Sequence, residues 1–379
     1  MLRPCDILAA GGTPCVAAHS LTRALYGAYS GPLYRLVRTP GNQTLDIAVK
    51  KVGGHADSAA HTNFCRGGPG VCTVEKIFDQ SPQGNHLGIE QGLPFLGPPH
   101  THPRAAVDRG VTFDDSRSEA VLGGDLVYAA YFEGAAAAKG KEGWVGQGYS
   151  NRTASGTAVG DEPQTVYAVL DGRVFNGGCC FDYGNGEKTA LHHSADWTNG
   201  SMEAIYWGCG DLGPPGCPCT SADPSGGAYV LADLEHMRAM MEGALPPTPI
   251  TPRDFVVAVV RGEAGHLAIS AGDAQRQRSL HTIYDGPRPT GYAVMKKEGG
   301  IVLGVGGDNS PYGSGVFFEG AMAKGYASDT TQVSVVNIPL HFVREYCSQF
   351  DLHNYIIITP LGGGHGKHSG RRVYQKAVG

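Results

Sequence analysis

Charge is scarce in this sequence: Asp, Glu, Lys and Arg together make up 17% of its 379 residues. That excludes an architecture of long surface helices, which needs a charged outer face. No sustained basic run occurs and the formal net charge is −5, so neither nucleic acid nor an anionic membrane surface finds an electrostatic footprint. No stretch of about 18 uncharged apolar residues is present, which leaves nothing to cross a bilayer as a helix. The N-terminus lacks the apolar run of a secretory signal. No internal period of about 20 to 50 residues recurs, which argues against a propeller or solenoid.

What is abundant is glycine (57) and proline (24), so turns are frequent. Between them recur short runs of strand length with β-branched or aromatic content: Gln164–Leu170, Ala228–Leu234, Phe255–Val260 and Ile301–Val305. Helical patterns are few; Thr22–Tyr29 and Leu234–Gly243 are the candidates. The expected fold class is all-β, with a two-sheet sandwich as the simplest architecture. The expected organisation is a β-sandwich domain over 1–338 followed by a C-terminal tail, 339–379, that is polar, glycine-rich, basic and poorly ordered. Asn354–Thr359 within it has the composition of a strand.

The ten cysteines point to an oxidising compartment. Cys5 with Cys15, Cys65 with Cys72, and the adjacent Cys179 and Cys180 are local pairs of the kind that suits disulfides. The triplets beginning at Asn42, Asn151 and Asn199 are candidate glycosylation sites on surface loops. Together these features predict a secreted, extracellular protein, with Met1 either replacing a removed signal peptide or belonging to an incomplete gene model. A zinc site from Cys209, Cys217, Cys219 and His192-His193 is a weak alternative, because Cys217-Pro-Cys219 lacks the usual two-residue spacing. Disulfides among Cys209, Cys217, Cys219 and Cys347 fit better, with their connectivity open. No Gly-x-Ser-x-Gly elbow joins a strand to a helix.

Two places could carry chemistry. In Leu231-Ala-Asp-Leu-Glu235, strand alternation puts Asp233 and Glu235 on one face, and paired carboxyls disfavour joint ionisation. Two ordinary acids at a solvent-facing strand end would give the same spacing. In Gly304-Val-Gly-Gly-Asp-Asn-Ser310, a strand runs into a turn that projects Asp308, a pattern that plain turn chemistry also produces. A disulfide between Cys179 and Cys180 would close an eight-membered ring, away from relaxed bridge geometry, and could form a flat apolar platform. Bridges to separate partners, or free thiols, are the alternatives.

Taken together these segments resemble the catalytic domain of the glycoside hydrolase family 54 α-L-arabinofuranosidases. The motifs run in family order over roughly residues 5 to 335: Cys5–Ser20, Phe78-Asp-Gln-Ser-Pro-Gln-Gly-Asn-His-Leu87, Thr157–Pro163, Tyr167–Gly172, Cys179-Cys-Phe-Asp-Tyr-Gly-Asn185, Met202–Tyr206, Gly306-Gly-Asp-Asn-Ser310 and Phe318-Glu-Gly320. The resemblance implies a concanavalin-like, jelly-roll β-sandwich that releases terminal α-L-arabinofuranosyl units from arabinan, arabinoxylan and related chains with retention. It implies Glu235 as nucleophile and Asp308 as acid/base, with Asp233, His236, Gly307 and Asn309 lining the site. It also implies disulfides Cys5–Cys15 and Cys65–Cys72, and a Cys179–Cys180 bridge packed against the sugar. No cofactor and no metal are implied; the expected partner is plant cell-wall polysaccharide, with no nucleic acid and no membrane, and a monomer is expected. The chain departs from the pattern at His236, where the family has asparagine, and across Trp207–Thr220, where extra cysteines replace a tryptophan-bearing loop. Trp207 is therefore not expected in the stacking position. The family's arabinose-binding β-trefoil is not recognisable after about residue 335. A non-catalytic, lectin-like arabinose-binding module is the competing function.

Overall fold

The computed structural model describes residues 2–66, 71–90, 119–134, 147–188, 200–209, 227–235, 255–276, 280–307, 310–336 and 342–343. The chain separates into 1–344 and 345–379, and the second unit, with Asn354–Thr359, lies outside the described residues.

Two antiparallel sheets dominate. The first has seven strands, in the order Cys15–Ser20, Gly315–Lys324, Gln164–Asp171, Phe255–Glu263, His266–Asp273 and His281–Pro287, with Ala130–Phe132 pairing to Gly315–Lys324. The second has nine: Tyr229–Asp233, Glu203–Gly208, Asp182–Gly186, Gly300–Leu303, Tyr149–Asn151, Leu87–Ile89, Val71–Ile77, Pro32–Thr39 and Gln43–Ala48. All four strand-like runs of the sequence become strands.

Alternation explains how they pack. In Gln164–Asp171 every residue is buried, yet its side chains divide between two clusters. Val166, Ala168 and Leu170 join Val256, Ala258 and Val260 against Ile205, Trp207, Leu231 and Tyr183 of the second sheet. Tyr167 and Val169 face the other way with Phe255, Val257 and Val259. That outer face is covered by Cys5 and Leu8 of the helix Pro4–Ala10, by Val335 of the helix Asp329–Val336, and by Ala120, Leu122 and Val127. A strand covered on both faces reads as a continuous apolar run, and an antiparallel one does so only when a second layer lies over it. Between the sheets the approach is close at Gly320, where a Cβ would meet the Tyr183 ring.

The small hairpin Glu119–Leu122 with Asp125–Tyr128 gains a third strand from Phe342–Val343. That strand falls beyond the boundary expected at residue 338. Residues 22–29 do not form the expected helix. Their amides are claimed elsewhere: Thr22 and Arg23 donate to Ser20 Oγ, Ala24 to the Gly54 carbonyl and Leu25 to Gln80 Oε1. A helix leaves its first amides unpaired in any case; what blocks one here is that the Thr22 carbonyl takes the Ala56 amide, the Arg23 carbonyl takes Gln80 Nε2 and the Gly27 amide donates to Asp6 Oδ2, so the i to i−4 ladder cannot form. Leu234 and Glu235 are not helical either, and 236–243 lie outside the described residues.

One charged pair is buried inside the sandwich at Arg23 and Glu319. Arg23 grips Glu319 through two hydrogen bonds of 2.7 Å, both side chains being almost fully buried, and Tyr167 Oη adds a third at 3.4 Å. Removing one partner leaves the other charge without compensation. Arg23→Met should therefore lower the unfolding free energy by about 3–5 kcal/mol, and adding Glu319→Leu should recover most of it. Urea denaturation measures both; a loss below about 1 kcal/mol in the single variant would contradict this account.

Candidate active site

The strand Tyr229–Asp233 is buried throughout and pairs with Glu203–Gly208, setting Asp233 opposite Ala204. It ends at Asp233, so alternation does not carry Glu235 onto the same face, as the sequence pattern had implied. A turn does that work instead. Glu235 adopts φ 65°, the left-handed region that costs a residue with a Cβ about 1–2 kcal/mol. Its amide donates to Asp233 Oδ1 at 2.9 Å, its carbonyl accepts from Tyr292 Oη at 2.6 Å, and the Leu234 carbonyl accepts from the Gly200 amide at 2.8 Å. Asp233 is buried and Glu235 partly exposed. Burial, and then the charges of Asp233 and Glu235, push the Tyr292 hydroxyl above its ordinary pKa, so it stays a donor. Sequence reading missed Tyr292. It is far from the acids along the chain, and no spacing marks it out.

Cys179 and Cys180 are joined by a disulfide, across a cis peptide bond. Cys180 Sγ lies 3.6 Å from Asp233 Oδ2, and the two sulfurs and a carboxylate oxygen of Asp233 all lie within 4.8 Å of one another. Because both sulfurs are in a disulfide, the cluster offers no thiolate to a metal ion. Its effect is to put an apolar surface beside a buried carboxylate. Cys5–Cys15 and Cys65–Cys72 are also bridged.

The glycine-rich turn is tied to this disulfide. Cys180 donates its amide to the Ser310 carbonyl at 3.0 Å, as does Gly306, and Tyr312 donates to the Cys179 carbonyl at 3.1 Å. Asp308, Asn309 and His236 lie outside the described residues. Gly307, just before them, is clamped: Arg152 Nη1 donates to its carbonyl and to that of Glu187, both at 2.8 Å, while Arg152 Nε and Nη2 grip Glu90 Oε2. A Cβ on Gly307 would overlap Glu187 Oε2 and press on Met202.

Other candidates fall elsewhere. Trp207 is buried in the interior, where its indole N–H donates to the Val174 carbonyl at 2.9 Å. Cys209 is disulfide-bonded, which removes it from a zinc site; Cys217, Cys219, Cys347, His192 and His193 lie outside the described residues. Asn42 is exposed in the turn between two strands. The Asn151 carboxamide is engaged at both ends, donating to the His86 carbonyl and accepting from Thr153. Asn199 is not among the described residues.

A sandwich strand that delivers a buried aspartate against a disulfide between neighbouring cysteines, with a glutamate held in the turn just beyond it, defines a β-sandwich with a carboxyl site at its strand ends. The chain belongs to the α-L-arabinofuranosidase B catalytic family, whose model matches residues 4–339. It is 42% identical over 341 residues to a probable α-L-arabinofuranosidase B of Aspergillus fumigatus, covering 88% of this chain and 60% of that one. To an arabinofuranosidase/β-xylosidase of Trichoderma koningii it is 42% identical over 342 residues, covering 88% and 61%. An arabinofuranosidase solved in complex with arabinofuranosyl-α-1,2-xylobiose superposes with a TM-score of 0.75 at 36% identity, covering 90% of this chain and 66% of that one. A family 54 enzyme soaked with a cyclic sulfate inhibitor gives 0.72 at 37%, with the same coverage. The chain thus spans about 60% of the length of the curated relatives it matches.

The clamp on Gly307 generates a test. Gly307→Ala should lower the unfolding free energy by about 1–3 kcal/mol through overpacking against Glu187. Urea denaturation measures it, and an unchanged midpoint would mean that Glu187 moves aside freely.

Proposed function

We propose that the chain is a secreted, retaining, exo-acting hydrolase that releases terminal non-reducing α-L-arabinofuranosyl residues from arabinan, arabinoxylan and related chains, working as a monomer without metal or cofactor. The observation that carries this reading is the placement of Glu235, turned out of a buried strand end and held by Asp233, whose other carboxylate oxygen meets the Cys179–Cys180 disulfide. Family membership supports the sugar, and the solved relative in complex with arabinofuranosyl-α-1,2-xylobiose supports a xylan-linked substrate.

In this mechanism the Glu235 carboxylate attacks the anomeric carbon while the bond to the leaving oxygen breaks and Asp308 delivers its proton to that oxygen. Asp308, now a carboxylate, takes a proton from water; the water oxygen attacks the same carbon, and Glu235 leaves with its electron pair. Asp233 and the disulfide face the sugar ring, the first with a carboxylate for its hydroxyls and the second with an apolar surface. His236, Gly307 and Asn309 complete the lining. The three disulfides with both ends among the described residues, together with the bridged Cys209, support an oxidising, extracellular setting.

Glu235→Gln keeps the shape and removes the nucleophile. Its kcat on 4-nitrophenyl α-L-arabinofuranoside should fall by about a thousandfold or more with the circular dichroism spectrum unchanged. Turnover near the wild-type rate would overturn the assignment.

A further inference from the structure

Among the described residues only Glu235 and Asn42 combine a side chain with a positive φ. Asparagine tolerates that region through its short polar side chain; glutamate does not, and it holds such a conformation only where its surroundings impose it. The surroundings here form a closed circuit. Tyr292 Oη donates to the Glu235 carbonyl. Four residues further on, the Lys296 amide donates to the Gly200 carbonyl, and the Gly200 amide donates to the Leu234 carbonyl, next to Glu235. The segment carrying Tyr292 is held by its own amide on the Pro289 carbonyl and by the Met295 amide on Asp161 Oδ1. The Tyr292 ring is fully buried in the cluster between the sheets, so the hydroxyl cannot swing away. On the other side Asp233 Oδ1 takes the Glu235 amide.

We propose that Tyr292 is a positioning residue for the displacement step: its hydroxyl holds the Glu235 carbonyl and so fixes the left-handed backbone that aims the Glu235 carboxylate. This rests on Glu235 being the nucleophile. Tyr292 touches no reacting atom in this role, so its loss should slow bond formation and leave sugar binding intact.

Tyr292→Phe deletes only the oxygen. The probe is a cyclic sulfate of arabinofuranosyl configuration, applied to the whole protein. The nucleophile's carboxylate oxygen bonds to the anomeric carbon as the carbon–oxygen bond to sulfate opens, and the sulfate stays on the adjacent sugar carbon, so the full reagent mass is added. Peptide mass spectrometry should find that mass on Glu235 in wild type and variant. The limiting inactivation rate of the variant should be about tenfold lower, as expected for one lost hydrogen bond, with the inhibitor's half-saturating concentration unchanged within about twofold. The end-point label counts competent molecules, so the rate holds whatever fraction of the variant folds. An inactivation rate equal to wild type, or a change confined to half-saturation, would overturn the role of Tyr292. A label on another residue would remove Glu235 as nucleophile, and this proposal with it.

Discussion

The hydrogen bond from the Glu235 amide to Asp233 Oδ1 is the contact on which the site depends. It exists because a buried strand ends where it does. Asp233 is the last residue paired in Tyr229–Asp233, held in register against Ala204, so its carboxylate is fixed before the chain turns. One oxygen then caps the turn and the other meets Cys180 Sγ at 3.6 Å. Moving Asp233 would disturb Glu235 and the disulfide surface together. The same disulfide also anchors Ser310 and Tyr312, through the amides of Cys180 and Tyr312, so Asp233 and residues 310–312 are tied to one fixed point.

That precision requires a stiff frame, and the frame is a sandwich with buried ion pairs at its seams. Glu203, at the start of the strand beside Tyr229–Asp233, receives Arg288 Nη1 at 2.6 Å and lies 3.8 Å from Lys297 Nζ, all three side chains being buried. Its backbone carbonyl takes Gln164 Nε2 from the other sheet, and a Cβ at Gly262 would collide with its carboxylate. Burial lowers the Lys297 pKa even though Glu203 counteracts it. Such groups stabilise little when intact and cost much when broken, which makes them devices of registry more than of net stability.

The fold was largely legible in the sequence, and the site only in part. Strands such as Phe255–Glu263 announce themselves because both faces are covered and the first six residues, Phe255–Val260, are all apolar. The helix Pro4–Ala10 had its signals too, proline in the first turn and the Asp6 carboxylate taking the Arg3 amide, though the sequence reading did not use them. Thr22–Tyr29 was a helical candidate, but Ser20 Oγ takes its first two amides, and those of Ala24, Leu25 and Gly27 go to Gly54, Gln80 and Asp6. Local cysteine pairs needed no tertiary information, since about ten residues of separation or fewer already bring such sulfurs together. Asp233 and Glu235 were found for an incomplete reason: a period of two holds only while the strand lasts. Tyr292 was invisible because its role is a tertiary contact to a carbonyl, which leaves no mark on residue type or spacing.

The central claim is that Glu235, held in this turn, attacks the sugar directly. The stereochemistry of the first product tests it most directly. Proton NMR of 4-nitrophenyl α-L-arabinofuranoside hydrolysis, followed before the anomers equilibrate, should show α-L-arabinofuranose forming first, because two displacements at one carbon restore its configuration. Initial release of the β anomer would mean a single displacement by water, and would contradict the account.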